Sequence, residues 1–119
     1  MEPRGSPRVR PRTVAECVDA PAHAGPLEGA SRVGEAAADG RIVRVGVWTG
    51  PRGLRARFRA STCASLVAYA EVACAALEAG ARPDAAGLRA LVSGVHPRHL
   101  DRAELVAAAV RAAVGQEPA

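Results

Sequence analysis

From residue 41 the chain alternates. RIVRVGVW places Val43, Val45 and Val47 on one side of a strand, with Arg44 and Trp48 on the other. TGPRG, residues 49–53, carries the Pro and Gly of a turn. LRARFRA then alternates strictly, with Leu54, Ala56, Phe58 and Ala60 inward and Arg55, Arg57 and Arg59 outward. Two alternating runs joined by such a turn predict an antiparallel hairpin over about residues 41–60, one face buried and the other basic.

The period then lengthens to that of a helix. Residues 63, 66, 67, 70, 74 and 77 form one apolar stripe, Ser61 or Thr62 is placed to cap it, and Gly80 suits its end. A second helix is expected from near Pro83 to about residue 92, with Leu88 and Leu91, followed by a loop over 93–100. Asp101 and Glu104 have capping-box spacing before a last helix striped by Leu105, Val106, Ala109, Val110 and Ala113. Upstream, residues 14–40 are broken by Pro21, Gly25, Pro26, Gly29 and Gly34, and predict a short helix over 15–20 and otherwise loop. Residues 1–13 are rich in Pro and Arg without apolar periodicity, the signature of a disordered arm. The expected organisation is that arm, a domain over 14–114 and a tail over 115–119. The fold class is α+β, a small antiparallel sheet packed against C-terminal helices.

Composition adds limits. At 119 residues the default is one domain. Trp48, Phe58 and Tyr69 are the only aromatic side chains, so the core is built from Ala, Val and Leu. All 16 basic residues are Arg, and the net charge of +4 permits an acidic partner or nucleic acid without requiring either. Three cysteines at irregular spacing do not make a disulfide framework. There is no membrane-length apolar run and no secretion-type leader, so the expected setting is the reducing cytoplasm, away from membranes. No nucleophile–base–orienter set and no phosphate loop is visible, which argues against an enzyme.

Cys74 continues the stripe of Cys63 three turns on and reads as a small buried hydrophobe. Cys17 lies in the weakly patterned region. Cys63 falls at the start of its helix, where unpaired N–H groups favour a thiolate. Spacing alone favours core packing for it, since a metal needs about three or four ligands and no CxxC or HxxxH occurs.

ARFRASTCASLVAYAE, residues 56–71, resembles the stretch of the NifU/IscU-type iron–sulfur cluster assembly scaffolds in which an Ala-Arg-Phe strand leads to a cysteine and a small-residue helix. HAGPLEGASRVGEA resembles the loop before the family's first ligand, DGRIVRVGV the strand after it, and HPRHLDRAELVAAAVRAAV the closing loop and helix. The resemblance spans roughly residues 20–114. It implies a NifU/IscU-like fold and a role in iron–sulfur cluster biogenesis or in sulfur or metal handling. It also implies a cysteine desulfurase and cluster-receiving proteins as partners, and Cys63 as the cofactor-binding residue. The family holds its cluster with three cysteines and a nearby Asp or His, and only the second cysteine remains here. Asp39 stands at the first cysteine position, Asp101-Arg102 replaces the closing His-Cys pair, and His99 aligns with a family lysine. Where the family's chaperone-docking loop reads Leu-Pro-Pro-x-Lys, this chain has Val95-His96-Pro97-Arg98-His99.

Three readings follow. Cys63, Asp39, Asp101 and His99 hold a metal, zinc tolerating such mixed ligands better than an iron–sulfur cluster does. Alternatively, Cys63 is a lone thiol activated by the helix start and Arg102, and accepts sulfur as a persulfide with no cofactor. In the third, Asp39 and Arg102 form an ion pair in place of two former ligands. His23 and His96 read as surface loop residues. A rival to all three is a non-catalytic basic module. The hairpin's outer face, with Arg44, Arg55, Arg57, Arg59 and Trp48, would then bind an acidic protein or, less readily, nucleic acid.

Overall fold

The alternation of residues 41–60 becomes two strands of a sheet. The computed structural model describes residues 9–115. Through them the chain runs β1 (Arg12–Thr13), α1 (Val14–Asp19), β2 (Arg32–Ala38), β3 (Arg41–Gly50), β4 (Gly53–Ala60), α2 (Ala64–Glu78), α3 (Ala85–Leu91), β5 (Val92–Ser93), a 3-10 turn (Pro97–His99) and α4 (Arg102–Val114). In the β3–β4 hairpin Val43 faces Ala60, Val45 faces Phe58 and Val47 faces Ala56. All of these but the half-buried Ala60 are buried, as the period of two requires.

The sheet has a third strand where loop was expected. β2 pairs antiparallel with β3 along its whole length, giving the order β2-β3-β4. Its inward residues are small, and its one large apolar residue, Val33, faces solvent at 49% exposure. Gly34 is the reason for the small residues. A Cβ there would overlap the α4 backbone at Ala109 and Ala113, so β2 and α4 approach as closely as only glycine permits. Asp39-Gly40 joins β2 to β3 with both residues at positive φ, 52° and 77°, as a two-residue hairpin turn demands.

α2 lies against β4, and α4 against β2 and β3. α2 is buried on nearly every side, from Ser65 to Leu77. It ends in a Schellman motif, with Gly80 N–H on the Leu77 carbonyl and Ala81 N–H on that of Ala76. Its N-cap is Cys63, not Ser61 or Thr62. Ser61 instead fastens the sheet, its Oγ accepting from the Ile42 N–H at 2.8 Å. Asp84 caps α3 by accepting from the Gly87 N–H at 2.8 Å. The capping box expected from Asp101 and Glu104 is not formed: Asp101 makes no cap bond and pairs with Arg102, while Glu104 pairs with Arg89.

A capping box does form at the other end, where Thr13 and Glu16 close α1 reciprocally. Residues 1–8 of the expected arm lie outside the described residues. Its last two residues are structured, pairing in parallel with Val92 and Ser93. Cys17 of α1 joins the core at 0% exposure. The segment after α1 binds the edge of β4, the Phe58 N–H donating to the His23 carbonyl and the Gly25 N–H to that of Phe58. Leu27 and Ala30 then cover Gly46 on the outer face of the sheet. No helix among the described residues is long and apolar enough to cross a membrane. The result is a small α+β fold, three antiparallel strands backed by helices.

Candidate functional site

Cys63 ends the link from β4 and begins α2 in an extended conformation, φ −154° and ψ 115°. That places its half-buried thiol over the first turn of a helix whose N–H groups have no intrahelical partners. Burial pushes the thiol up. The Leu66 N–H and the guanidinium groups of Arg102 and Arg41 outweigh burial and hold it below the ordinary cysteine value. In return Cys63, followed by Asp101, strengthens the hold of Arg102 on its proton.

Arg102 is the first residue of α4 and its side chain is only 11% exposed. Its NH1 donates to Asp101 Oδ1 at 2.7 Å, while its Nε is buried without a partner among the described residues. The carboxylate that Arg102 meets is therefore Asp101 and not Asp39, and the expected Asp39–Arg102 ion pair is not formed. Asp39 occupies the tip of the β2–β3 turn, and its carbonyl accepts from Arg41 NH1 at 3.2 Å. The turn and the start of α4 form an open cleft of about 280 Å³, lined by Asp39, Arg41, Asp101, Arg102, Glu104 and Leu105 among others.

His99 ends the 3-10 turn and its Nδ1 lies 3.2 Å from Ser65 Oγ, in the first turn of α2. Desolvation, then the charges of Arg102, His96 and Arg41, push its imidazole below the ordinary histidine value. Thus Asp39 and Asp101 share a cleft with two arginines, Cys63 faces those arginines, and His99 is engaged through Ser65. Among the described residues no group of three or more His, Cys, Asp or Glu side chains converges as metal ligands would. Cys74 is fully buried in the core and its thiol is raised by desolvation.

A second cluster escaped the sequence reading. His23 lies in a loop, but its side chain is 16% exposed and held between two glutamates of α2. Its Nδ1 is 2.7 Å from Glu71 Oε2 and its Nε2 is 2.9 Å from Glu78 Oε1. Its backbone N–H donates to Glu71 Oε1 at 2.8 Å. Glu71 is fully buried and also meets Arg12 at 3.5 Å. Glu78 accepts from the Ala56 N–H at 2.8 Å and from Arg57 at 3.2 Å. The hydrogen bond to Glu71 raises His23 above its ordinary value despite burial. Burial would raise both glutamates, but hydrogen bonds from His23 to Glu71, and from Ala56 and His23 to Glu78, bring them below theirs. The signal was present in α2: Glu71 and Glu78 are seven residues apart, two turns on one face of an otherwise apolar helix.

No protein-family model matches the chain, and no curated protein matches it.

Proposed function

We propose that this protein is a divergent relative of the NifU/IscU scaffolds that handles sulfur at Cys63, as a carrier within iron–sulfur cluster biogenesis. The reading is carried by Cys63 itself, a half-buried thiol in the N-cap position of α2, which the nearby guanidinium groups of Arg102 and Arg41 help to lower while the buried Arg102 Nε has no hydrogen-bond partner among the described residues. These groups suit an anion. An iron–sulfur cluster needs several thiolates, whereas the surroundings of Cys63 supply one thiol and two groups that stay protonated and cannot ligate. The donor set therefore does not fit a cluster. The resemblance of residues 56–71 and of the closing segment supplies the context of sulfur chemistry.

The step balances without an added oxidant. The Cys63 thiolate attacks the sulfane sulfur of a donor persulfide. The donor's S–S bond breaks as the new one forms, the donor leaves as a thiolate, and Cys63 carries the persulfide. Arg102 and Arg41 stabilise the thiolate that attacks and then the charged terminal sulfur. A cysteine desulfurase is the donor that the resemblance implies, and a cluster-assembling protein is the receiver.

The test uses the full chain with glutathione persulfide, followed by mass spectrometry of the cysteine peptides. We expect a gain of one sulfur atom on the Cys63 peptide and none on that of Cys74. Cys63→Ser should abolish the gain and Arg102→Gln should slow it at neutral pH. A wild-type Cys63 that gains no sulfur overturns the proposal.

A further inference from the structure

The sheet has two edges, and the described residues cover one of them. On β4 the Ala56 N–H donates to Glu78 Oε2 at 2.8 Å, and Phe58 exchanges backbone hydrogen bonds with His23 and Gly25. Phe58 therefore turns its peptide groups away from β3, which fixes the hydrogen-bond parity across the sheet. Its partner Val45 turns toward β2, and Gly34, opposite Val45, turns toward β3. Every second residue of β2 then points its backbone N–H and carbonyl outward. Those residues are Val33, Glu35 and Ala37, all exposed, and among the described residues their peptide groups have no hydrogen-bond partner. Native sheets blunt an open edge with Pro or with charge. β2 has no Pro, and its central charge, Glu35, is neutralised by Arg44 at 2.8 Å.

We propose that the β2 edge pairs with the β2 edge of a second copy of this chain, antiparallel about a two-fold axis at Glu35, so that two three-stranded sheets join into one. In that register Val33 stands opposite Ala37 of the second copy and Glu35 opposite its own counterpart, giving roughly six backbone hydrogen bonds. Val33, a large apolar side chain left 49% exposed, gains a cross-strand neighbour. The charges of the strand select this partner and this direction. Arg32 begins β2 and Asp39 follows its end; both are exposed, and neither forms an ion pair among the described residues. Antiparallel pairing sets Arg32 beside Asp39 of the second copy, once on each side of the axis, whereas parallel pairing would set like beside like. The approach of the two Glu35 carboxylates is offset by the Arg44 that each already holds. The contact is short, so the dimer is a weak one that grows with concentration. This inference does not depend on Cys63.

The test is analytical ultracentrifugation of the full chain, with reductant present, from roughly 1 μM to 1 mM, together with amide hydrogen exchange at both ends of that range. We expect a dimer that forms with concentration, in which the Val33, Glu35 and Ala37 amides are protected at the high end and exchange at the low end. Ala37→Pro removes an outward N–H without touching the ladder to β3 and should leave a folded monomer. Arg32→Glu should weaken dimerisation about tenfold. Arg55→Glu, the same charge change on β4, should leave it unaltered. Circular dichroism checks that each variant is folded, and if Ala37→Pro does not fold, Arg32→Glu and the exchange pattern decide. A monomer at every concentration, a dimer with those three amides unprotected, a folded Ala37→Pro that still dimerises, an undiminished Arg32→Glu dimer, or equal weakening by Arg55→Glu would each overturn the proposal.

Discussion

Replacing Glu71 with alanine is the sharpest test of what holds the N-terminal segment to the body of the fold. The carboxylate is fully buried and serves three groups: the His23 backbone N–H at 2.8 Å, the His23 ring at 2.7 Å and Arg12 at 3.5 Å. Its removal leaves a half-buried N–H unpaired, a loss of about 1–3 kcal/mol. It also strands the imidazole and the guanidinium. Breaking a buried ion pair by deleting one partner costs about 3–5 kcal/mol, a figure that already includes the unpaired donor. For a domain of this size that is a fall in Tm of roughly 12–20 °C. The pH dependence gives an independent check. His23 is raised in the folded state, so its stabilisation is complete below the ordinary histidine pKa of about 6.5 and is lost as pH rises through the raised value. Glu71 and Glu78 are lowered, so theirs is present above the ordinary glutamate value of about 4.3 and is lost as pH falls through the lowered ones. Wild-type stability should therefore peak between those two ordinary values, and Glu71→Ala should flatten the alkaline limb. Thermal melts followed by circular dichroism across that range, with His23→Ala completing a double-mutant cycle, measure both effects. A loss below about 1 kcal/mol, set against the 3–5 expected, or an unchanged alkaline limb would refute the reasoning.

Three further outcomes are expected. Gly34→Ala should destabilise by about 1–3 kcal/mol or more, because the added methyl meets α4 backbone that cannot rotate aside. Chemical denaturation measures it, and a neutral result would mean that β2 and α4 are not in such close contact. In native protein, iodoacetamide should modify Cys63 while sparing Cys17 and Cys74, both buried with raised thiols. The pH midpoint of the Cys63 reaction should move upward in Arg102→Gln, and an unmoved midpoint would remove Arg102 from the account of the thiol.

The β3–β4 hairpin and α4 were legible because burial there follows a period, two in the strands and near 3.6 in the helix, whereas the stripe expected for α2 marked the helix but understated its burial, which runs round nearly every side. β2 was hidden for a physical reason. Its inward positions must be small to admit α4, so Gly34 and Ala36 carry no apolar signal, while Val33 points the wrong way. The Asp39-Gly40 dipeptide was the available clue, a two-residue hairpin turn spelled out in the chain. At the candidate site the sequence named Cys63 and Arg102 but mistook the partner of Arg102. Asp101 is adjacent and reaches it directly, whereas Asp39 is held at a turn tip. His23 was opaque because its partners lie 48 and 55 residues away on another element, and no local pattern records such a pairing.

The attachment of the first described strand has a consequence for the order of assembly. β2, β3, β4 and α2 are consecutive in the chain and bring their contacts together early in synthesis, whereas Arg12 and Thr13 pair with Val92 and Ser93. On a ribosome residues 12–25 emerge ahead of all their partners, which are Phe58 on β4, then Glu71 and Glu78, and last residues 92–93. An early segment that pairs with a late one takes on long-range loop entropy as its last step. Its amides from Arg12 to Gly25 should accordingly exchange with solvent through a local opening that leaves the sheet and α2 intact.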